Sequence, residues 1–414
     1  MKIKNITTKQ IQDSNGKPTI STEITLEDGS TGIGTVPSGA STGKTEVLEL
    51  KDEDGGMSKA IGNIEVIKNG ISDKDFNTQE EFDTFLIQLD GTEQKSTLGG
   101  NTILSCSIAF AKAMAVSQKL ELYEYIGKIH GNTQYTLPTP QILVMEGAKH
   151  GNWATDIQEY MLVPNMDVFK TFDKAFNAGT NVFRKIKEIL EEKGYSTDIG
   201  FEGAYCPKEI QSNAEAFDII VQSITDFGYT PGEDFTIAID IASSEFFDEQ
   251  KNMYILKREG KELTPEQWLE LQIQWYEKYP ISSIEDPFAQ EDWTNWSRLN
   301  TEIGDRYQIV GDDLLTTNVS RIQQGIDTKA INSVLIKLNQ IGTVTETLNA
   351  IKLTTANNMT CVISHRSGET LDTTISDLAV GTSSKYCKFG GPTKEERYVK
   401  YKRLLDIENK LLVR

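Results

Sequence analysis

The chain has 414 residues, long for a single hydrophobic core and suited to one large domain plus a smaller one. Its formal charge of −19 and pI near 4.7 exclude nucleic acid and anionic membrane as expected partners, since a basic patch would have to survive against that background. Its four cysteines, Cys106, Cys206, Cys361 and Cys387, form no CxxC pair, which excludes a disulfide framework and a thiolate zinc site and points to a reducing cytoplasm.

In chain order, residues 1–37 read as an antiparallel meander. Ile20, Thr22, Ile24 and Leu26 alternate with polar neighbours, and Asn15-Gly16 and Asp28-Gly29 supply tight-turn chemistry. The start, MKIKNITTKQ, has no apolar signal core, and no later run approaches the ~18 apolar residues of a membrane span. From about residue 58 to 127 the period becomes helical, clearest in NTILSCSIAFAKAMAVSQK, where Ile103, Cys106, Ala109 and Ala113 recur three or four apart. Strands followed by helices predict an α+β domain over 1–130. The Gly-, Pro- and Thr-rich GKIHGNTQYTLPTPQ then marks a boundary, with a second domain expected over 138–414.

In that second domain short β-rich runs alternate with amphipathic helices such as TPEQWLELQIQWYEKY and EERYVKYKRLLDIENKL. The polar residues that end the runs are Asp240, Glu285, Asp312, Lys337, His365 and Lys388, and from Glu285 onward they fall roughly 25 residues apart, one strand plus one helix and two loops. The pattern predicts an α/β fold with a (β/α)8 TIM-type barrel, whose strand ends share one rim. A single acidic strand end is more often a satisfied structural carboxylate; three acidic and two lysine ends in register point to a site.

Asp240, Glu285 and Asp312 offer hard oxygens without nearby Cys, so the residues favour Mg²⁺ over Zn²⁺ or Cu²⁺. Such an ion clamps a carboxylate and stabilises charge that grows when a neighbouring C–H is deprotonated. Lys337 suits the base if cations on the rim, Arg366 and Lys388 among them, lower its pKa from ~10.4 towards ~7–8. The alternative for Lys337 is a carboxylate-paired structural lysine. VPSGASTGK, residues 36–44, is either an anion-binding loop or a mobile polar turn, and lacks nucleotide-loop spacing.

Seven blocks in order, VPSGASTGK, DIQEYM, IDIASSEFF, SIEDPFAQEDW, VGDDLLTTN, LIKLNQIGTVTET and SHRSGETLDTTISDLAVG, with DSNGKPT and CKFGGPTKEER flanking them, resemble the enolase family over nearly the whole chain. The resemblance implies an N-terminal capping domain, a barrel with irregular first units, and reversible dehydration of 2-phosphoglycerate to phosphoenolpyruvate by a cytoplasmic enzyme that is at least a dimer. It implies Mg²⁺ held by Asp240, Glu285 and Asp312, with a second Mg²⁺ arriving with substrate at Ser41. It makes Lys337 the base and Glu202 the acid, supported by Glu159. His150, Gln158 and His365 then line the substrate pocket, and Arg366, Ser367 and Lys388 grip phosphate and carboxylate. A Lys or His base working beside one or two Mg²⁺ ions is the mechanism of that superfamily; it comes with the resemblance and is not read from composition.

The chain departs from the family pattern near the chemistry. GFEGA stands where GDEGG is usual, so that Phe201 either desolvates Glu202 and raises its pKa or packs elsewhere. MEGAKHGNW alters the approach to His150 and leaves Lys149 and Trp153 unexplained, DSNGKP replaces DSRGNP, and Leu371 replaces an acid. Two other readings stand beside the first. One is a superfamily lyase acting on another acid; the other is a non-catalytic protein on the same scaffold, which should have lost ligands or base.

Overall fold

The alternation around Ile20 to Leu26 builds the middle strand of a small sheet. In the computed structural model, which describes residues 1–39 and 43–413, β1 (Ile3–Gln12), β2 (Pro18–Leu26) and β3 (Thr31–Thr35) pair antiparallel in that order. The first turn closes because Gly16 takes φ 73° and Asp13 Oδ1 accepts the N–H groups of Asn15 and Lys17, both at 2.8 Å. Ile6, Ile20, Ile24 and Leu26 are buried against the helices that follow, α1 (Ser58–Ile71), α2 (Gln79–Asp90), α3 (Gly100–Ser117) and α4 (Leu122–His130).

Helix α3 lies directly on β3. A Cβ on Gly32 would stand 2.2 Å from the carbonyl oxygen of Ala109, and one on Gly34 2.4 Å from that of Ser105, so only glycine permits this approach. The one apolar stripe expected of α3 is instead burial on nearly every side. Its far side meets the second half of the chain, where Ser107 Oγ accepts the N–H of Val344 at 2.9 Å.

Residues 131–138 carry no helix or strand, and β4 (Thr139–Glu146), β5 (Glu159–Pro164) and β6 (Phe235–Asp240) follow. A small outer sheet, β7 (Phe247–Asp248), β8 (Met253–Leu256) and β9 (Lys261–Leu263), precedes β10 (Ile281–Glu285), β11 (Gln308–Gly311), β12 (Ser333–Ile336), β13 (Thr360–Ser364) and β14 (Tyr386–Lys388). Eight of the described strands close a barrel in the order β10-β11-β12-β13-β14-β4-β5-β6. Neighbours are parallel except around β5, which is antiparallel to both β4 and β6. Val310, Leu335 and Val362 of three successive strands form their own small apolar cluster, as a side-chain layer inside a barrel does. The fold is therefore α/β, a modified barrel capped by an α+β unit. No helix among the described residues is long and apolar enough to cross a membrane.

Candidate active site

Because β5 runs backwards, its first residue, not its last, reaches the rim. The register sets Glu146 of β4 beside Glu159 of β5, Glu159 beside Asp240 of β6, and Asp240 beside Glu285 of β10. Like charges on neighbouring strands, about 4.8 Å apart, repel and need compensation. From the end of β14, across the mouth, the Lys388 ammonium supplies it, 3.0 Å from Asp240 Oδ2, 2.8 Å from each Glu285 oxygen and 3.2 Å from Glu159 Oε2. Burial pushes Lys388 down, but Asp240, Glu159 and Glu285 hold it well above the ordinary lysine range. Burial and the Asp240 charge push Glu285 well up in turn.

On the arc from β11 to β13, the next position past the strand carries each group. Asp312 contacts Lys337 Nζ through Oδ2 and accepts Gln340 Nε2 at 2.9 Å through Oδ1. Lys337 does not show the lowered pKa expected of it. Burial lowers it, but the touching Asp312 carboxylate leaves it raised, while Arg366 and Lys388 both push down. Only carboxylates hold that ammonium up; with Asp312 engaged elsewhere, the remaining cations and burial favour the neutral amine a base needs. Arg366 Nη1 lies 2.9 Å from Glu46 Oε2 of the capping unit and 2.9 Å from Asn339 Oδ1.

The acidic doublet at 285–286 splits its work. Asp286, at φ 45°, turns away from the mouth and accepts the N–H groups of Asp312 at 3.0 Å and Asp313 at 2.9 Å. So one carboxylate of the pair at 285–286 faces the site, and the other fixes the loop that carries Asp312.

The opposite wall carries Glu202 on a loop after β5, between two histidines. His150 Nδ1 lies 3.5 Å from Glu202 Oε1 and 3.7 Å from Glu159 Oε1, and His365 Nε2 lies 3.1 Å from Glu202 Oε2. Arg397, fully buried on the last helix (Glu395–Leu412), places Nη1 2.7 Å from His365 Nδ1. A guanidinium only donates, so Nδ1 accepts and the imidazole proton sits on Nε2, facing Glu202. Burial, with Arg397 outweighing part of the pull of Glu202, brings His365 down to about 4. Burial also presses on His150, but the charges of Glu202, Glu159 and Glu146 carry it up to about 9.

Phe201 does not leave Glu202 with a raised pKa. Its side chain is 42% exposed. Burial raises Glu202, yet His365, His150 and Arg397 hold it well below the usual carboxylate range, opposite to the rise expected from an apolar neighbour. Glu159 behaves in the other sense, pushed up to about 7 by burial against the pull of Lys388. Lys149 and Trp153 fasten the His150 loop from outside: Lys149 Nζ pairs with Glu245 Oε2 at 2.5 Å, and Lys257 Nζ stands 3.7 Å over the Trp153 ring. Asn15 of DSNGKP donates to the carbonyl oxygen of Ser367 at 3.1 Å, tying the first hairpin to the loop after β13, and Leu371 is exposed.

One cavity at the mouth is lined by His150, Gln158, Glu159, Glu202, Asp240, Asp312, Lys337, His365, Arg366, Ser367 and Lys388, and Glu285 meets it through Lys388. Ser41 lies outside the described residues. Gln158 Oε1 is buried with no hydrogen-bond partner among them. Sequence reasoning missed Glu146, Asp286, Glu46 and Arg397. Of these Asp286, in its doublet, and Glu146, at the end of a β-rich run, left a visible signal.

Among the described residues two groups bring one potential ligand atom apiece within 4.8 Å of one another, His150–Glu159–Glu202 and Asp286–Asp312–Asp313. Asp240, Glu285 and Asp312 do not make a third, because Lys388 gathers the first two and Lys337 the last. Their chemistry still fits a hard cation: all donors are carboxylate oxygens, buried, with Asp240 and Glu285 on paired strand ends.

Comparison with known proteins agrees with this architecture. The family description "Enolase, N-terminal domain" matches residues 3–126 and "Enolase, C-terminal TIM barrel domain" matches residues 134–413. The proteins named Enolase from two Bifidobacterium longum strains, DJO10A and NCC 2705, are each 44% identical over 416 aligned positions, covering 99% of this chain and 94% of the relative. With both halves matched and a full-length relative at that identity, the chain belongs to the enolase family.

Proposed function

We propose that the protein is a Mg²⁺-dependent phosphopyruvate hydratase, a lyase that reversibly dehydrates 2-phosphoglycerate to phosphoenolpyruvate. The observation that carries the reading is the placement of Lys337 and Glu202 on opposing walls of one buried mouth. Lys337 follows β12, and Glu202 is held against β4, three strands away around a ring of eight. A proton is then taken from one face of the substrate and a hydroxyl protonated on the other.

Lys337 Nζ receives the proton next to the substrate carboxylate. Glu202, ionised in the resting site, has a proton source 3.5 Å away in the His150 imidazolium, and Glu159 and Gln158 complete that wall. His365, as the neutral Nε2–H tautomer, orients Glu202 and lines the pocket. Arg366, Ser367 and Lys388 grip the phosphate and carboxylate. Asp240, Glu285 and Asp312 would hold one Mg²⁺, and a second would arrive with substrate at Ser41; bound there, magnesium supplies positive charge against the growing carboxylate charge. The same reading makes the protein a cytoplasmic homodimer or larger homo-oligomer.

The test is turnover of 2-phosphoglycerate by purified protein, followed by phosphoenolpyruvate absorbance. Formation of phosphoenolpyruvate with Mg²⁺ and its loss on chelation are expected; no product under either condition sinks the reading.

A further inference from the structure

Two unusual stretches of the sequence, MEGAKHGNW and GFEGA, touch each other. The Glu146 side chain, 1% exposed at the end of β4, points along the backbone of residues 200–204, not into the cavity. Its Oε1 accepts the N–H of Ala204 at 2.7 Å and that of Glu202 at 3.2 Å, and its Oε2 lies 3.0 Å from the same Glu202 N–H. The carbonyl oxygen of His150 takes the N–H of Phe201 at 3.0 Å. Three of the five loop amides are thus satisfied by one carboxyl group and one carbonyl of the 145–153 stretch.

The fit is close. A Cβ on Gly200 would stand 2.5 Å from Glu146 Oε2 and 2.8 Å from the carbonyl oxygen of His150, so the loop lies flat on both. From the other side Gly391 donates its N–H to the carbonyl oxygen of Glu202 at 2.8 Å.

We propose that Glu146 is a positioning residue: it seats the 200–204 backbone and thereby sets where the Glu202 carboxylate meets His150 and His365. It touches neither substrate nor reacting atoms. The assignment rests on the reading of Glu202 as the acid, but the seating itself does not. Burial and the Glu202 charge push Glu146 up to about 8 against the pull of the two amides, so glutamine, neutral and with one carbonyl oxygen, retains the main acceptor.

The test compares Glu146→Ala and Glu146→Gln with the unaltered protein by amide hydrogen exchange over residues 200–204, by dehydration kcat, and by exchange of the substrate α-proton with solvent. In Glu146→Ala the loop amides should lose protection and kcat should fall about 10²-fold, the scale of an ångström-sized misplacement, while α-proton exchange at Lys337 persists. Glu146→Gln should stay within about tenfold of the unaltered kcat. Because α-proton exchange needs a folded mouth, its retention separates misplacement from unfolding. Unchanged amide protection in Glu146→Ala overturns the proposal, as does an equal fall of kcat and α-proton exchange in both variants. An unaltered protein that never turns over 2-phosphoglycerate, yet loses amide protection in Glu146→Ala, overturns the assigned reaction and leaves the seating standing.

Discussion

The arc from β10 to β14 and the arc from β4 to β6 build one mouth by different rules. In the first, strands run the same way and the residue at or just past each end faces the cavity. In the second, β5 is reversed and Glu202 comes on a loop. Both arcs nevertheless use one buried carboxyl to hold a neighbour's backbone, Asp286 under Asp312 and Asp313, Glu146 under Glu202 and Ala204. A polar strand end is therefore not by itself a reacting group. Asp286 and Glu146 meet backbone amides, whereas Asp240, Glu285 and Asp312 meet the Lys388 or Lys337 ammonium.

The largest expected effect tests the first arc. Lys337→Ala should lower both turnover and α-proton exchange by about 10⁴-fold, the upper range for a general base. Exchange at the unaltered rate would move the base to the other wall and end the division of labour between arcs. Glu202→Gln should come next, losing about 10³-fold in dehydration while α-proton exchange, measured by NMR in deuterated water, continues. Equal loss of both in this variant would mean the walls do not act separately.

The contrast also explains what could be read beforehand. On the regular arc, the repeat of β-rich run and helix made Glu285, Asp312, Lys337, His365 and Lys388 visible, because parallel strands put every chain direction in the same sense. On the irregular arc only Asp240 showed; Glu159, His150 and Glu202 emerged through family resemblance. A reversed strand inverts the rule that the last residue faces the rim, and a loop has no period to read. Glu146 ended a β-rich run too, but nothing in a sequence says which atoms a carboxyl will meet. Asp286 was visible as half of a doublet, and its backbone role was not. Arg397 sat in KEER at the head of a charged helix, where a fully buried guanidinium looks like any exposed one.

Electrostatics separates the two histidines that flank Glu202. In metal-free protein His150 should titrate near 9 and His365 near 4, and with only three histidines in the chain imidazole NMR resolves both. The signs differ. A histidine raised above its unfolded value stabilises fully below about 6.5 and loses that contribution as pH climbs to about 9. A lowered one contributes above about 6.5 and loses it as pH falls towards 4. Urea unfolding at pH 6.5 and 9 should show the unaltered protein losing more stability than His150→Gln across that window. Glu146 and Glu159, also raised, are themselves held down by His150, so the difference reports His150 together with its coupling to these two carboxyls. Titration of His150 near its ordinary value would remove the proton source assigned to Glu202.

The smallest effect should come from the outer fastening of the His150 loop. Lys149 is 48% exposed and Glu245 12%, so their 2.5 Å pair is partly in water, where such pairs contribute about 0–1 kcal/mol. The loop does not depend on it. Ala148, Asn152 and Trp153 all take positive φ, and that backbone is held by Gly147 N–H to the carbonyl oxygen of Gln158 at 2.9 Å, Ala148 to Thr155 at 2.8 Å and Trp153 to Ala148 at 2.7 Å. Inside, the His150 carbonyl is engaged by Phe201. Lys149→Met should therefore change unfolding free energy by less than about 1 kcal/mol and leave KM within about twofold. A tenfold rise in KM would show that the surface pair, and not the backbone network beneath it, sets the approach of His150 to Glu202, and would make the irregular arc depend on its outside as the regular arc does not.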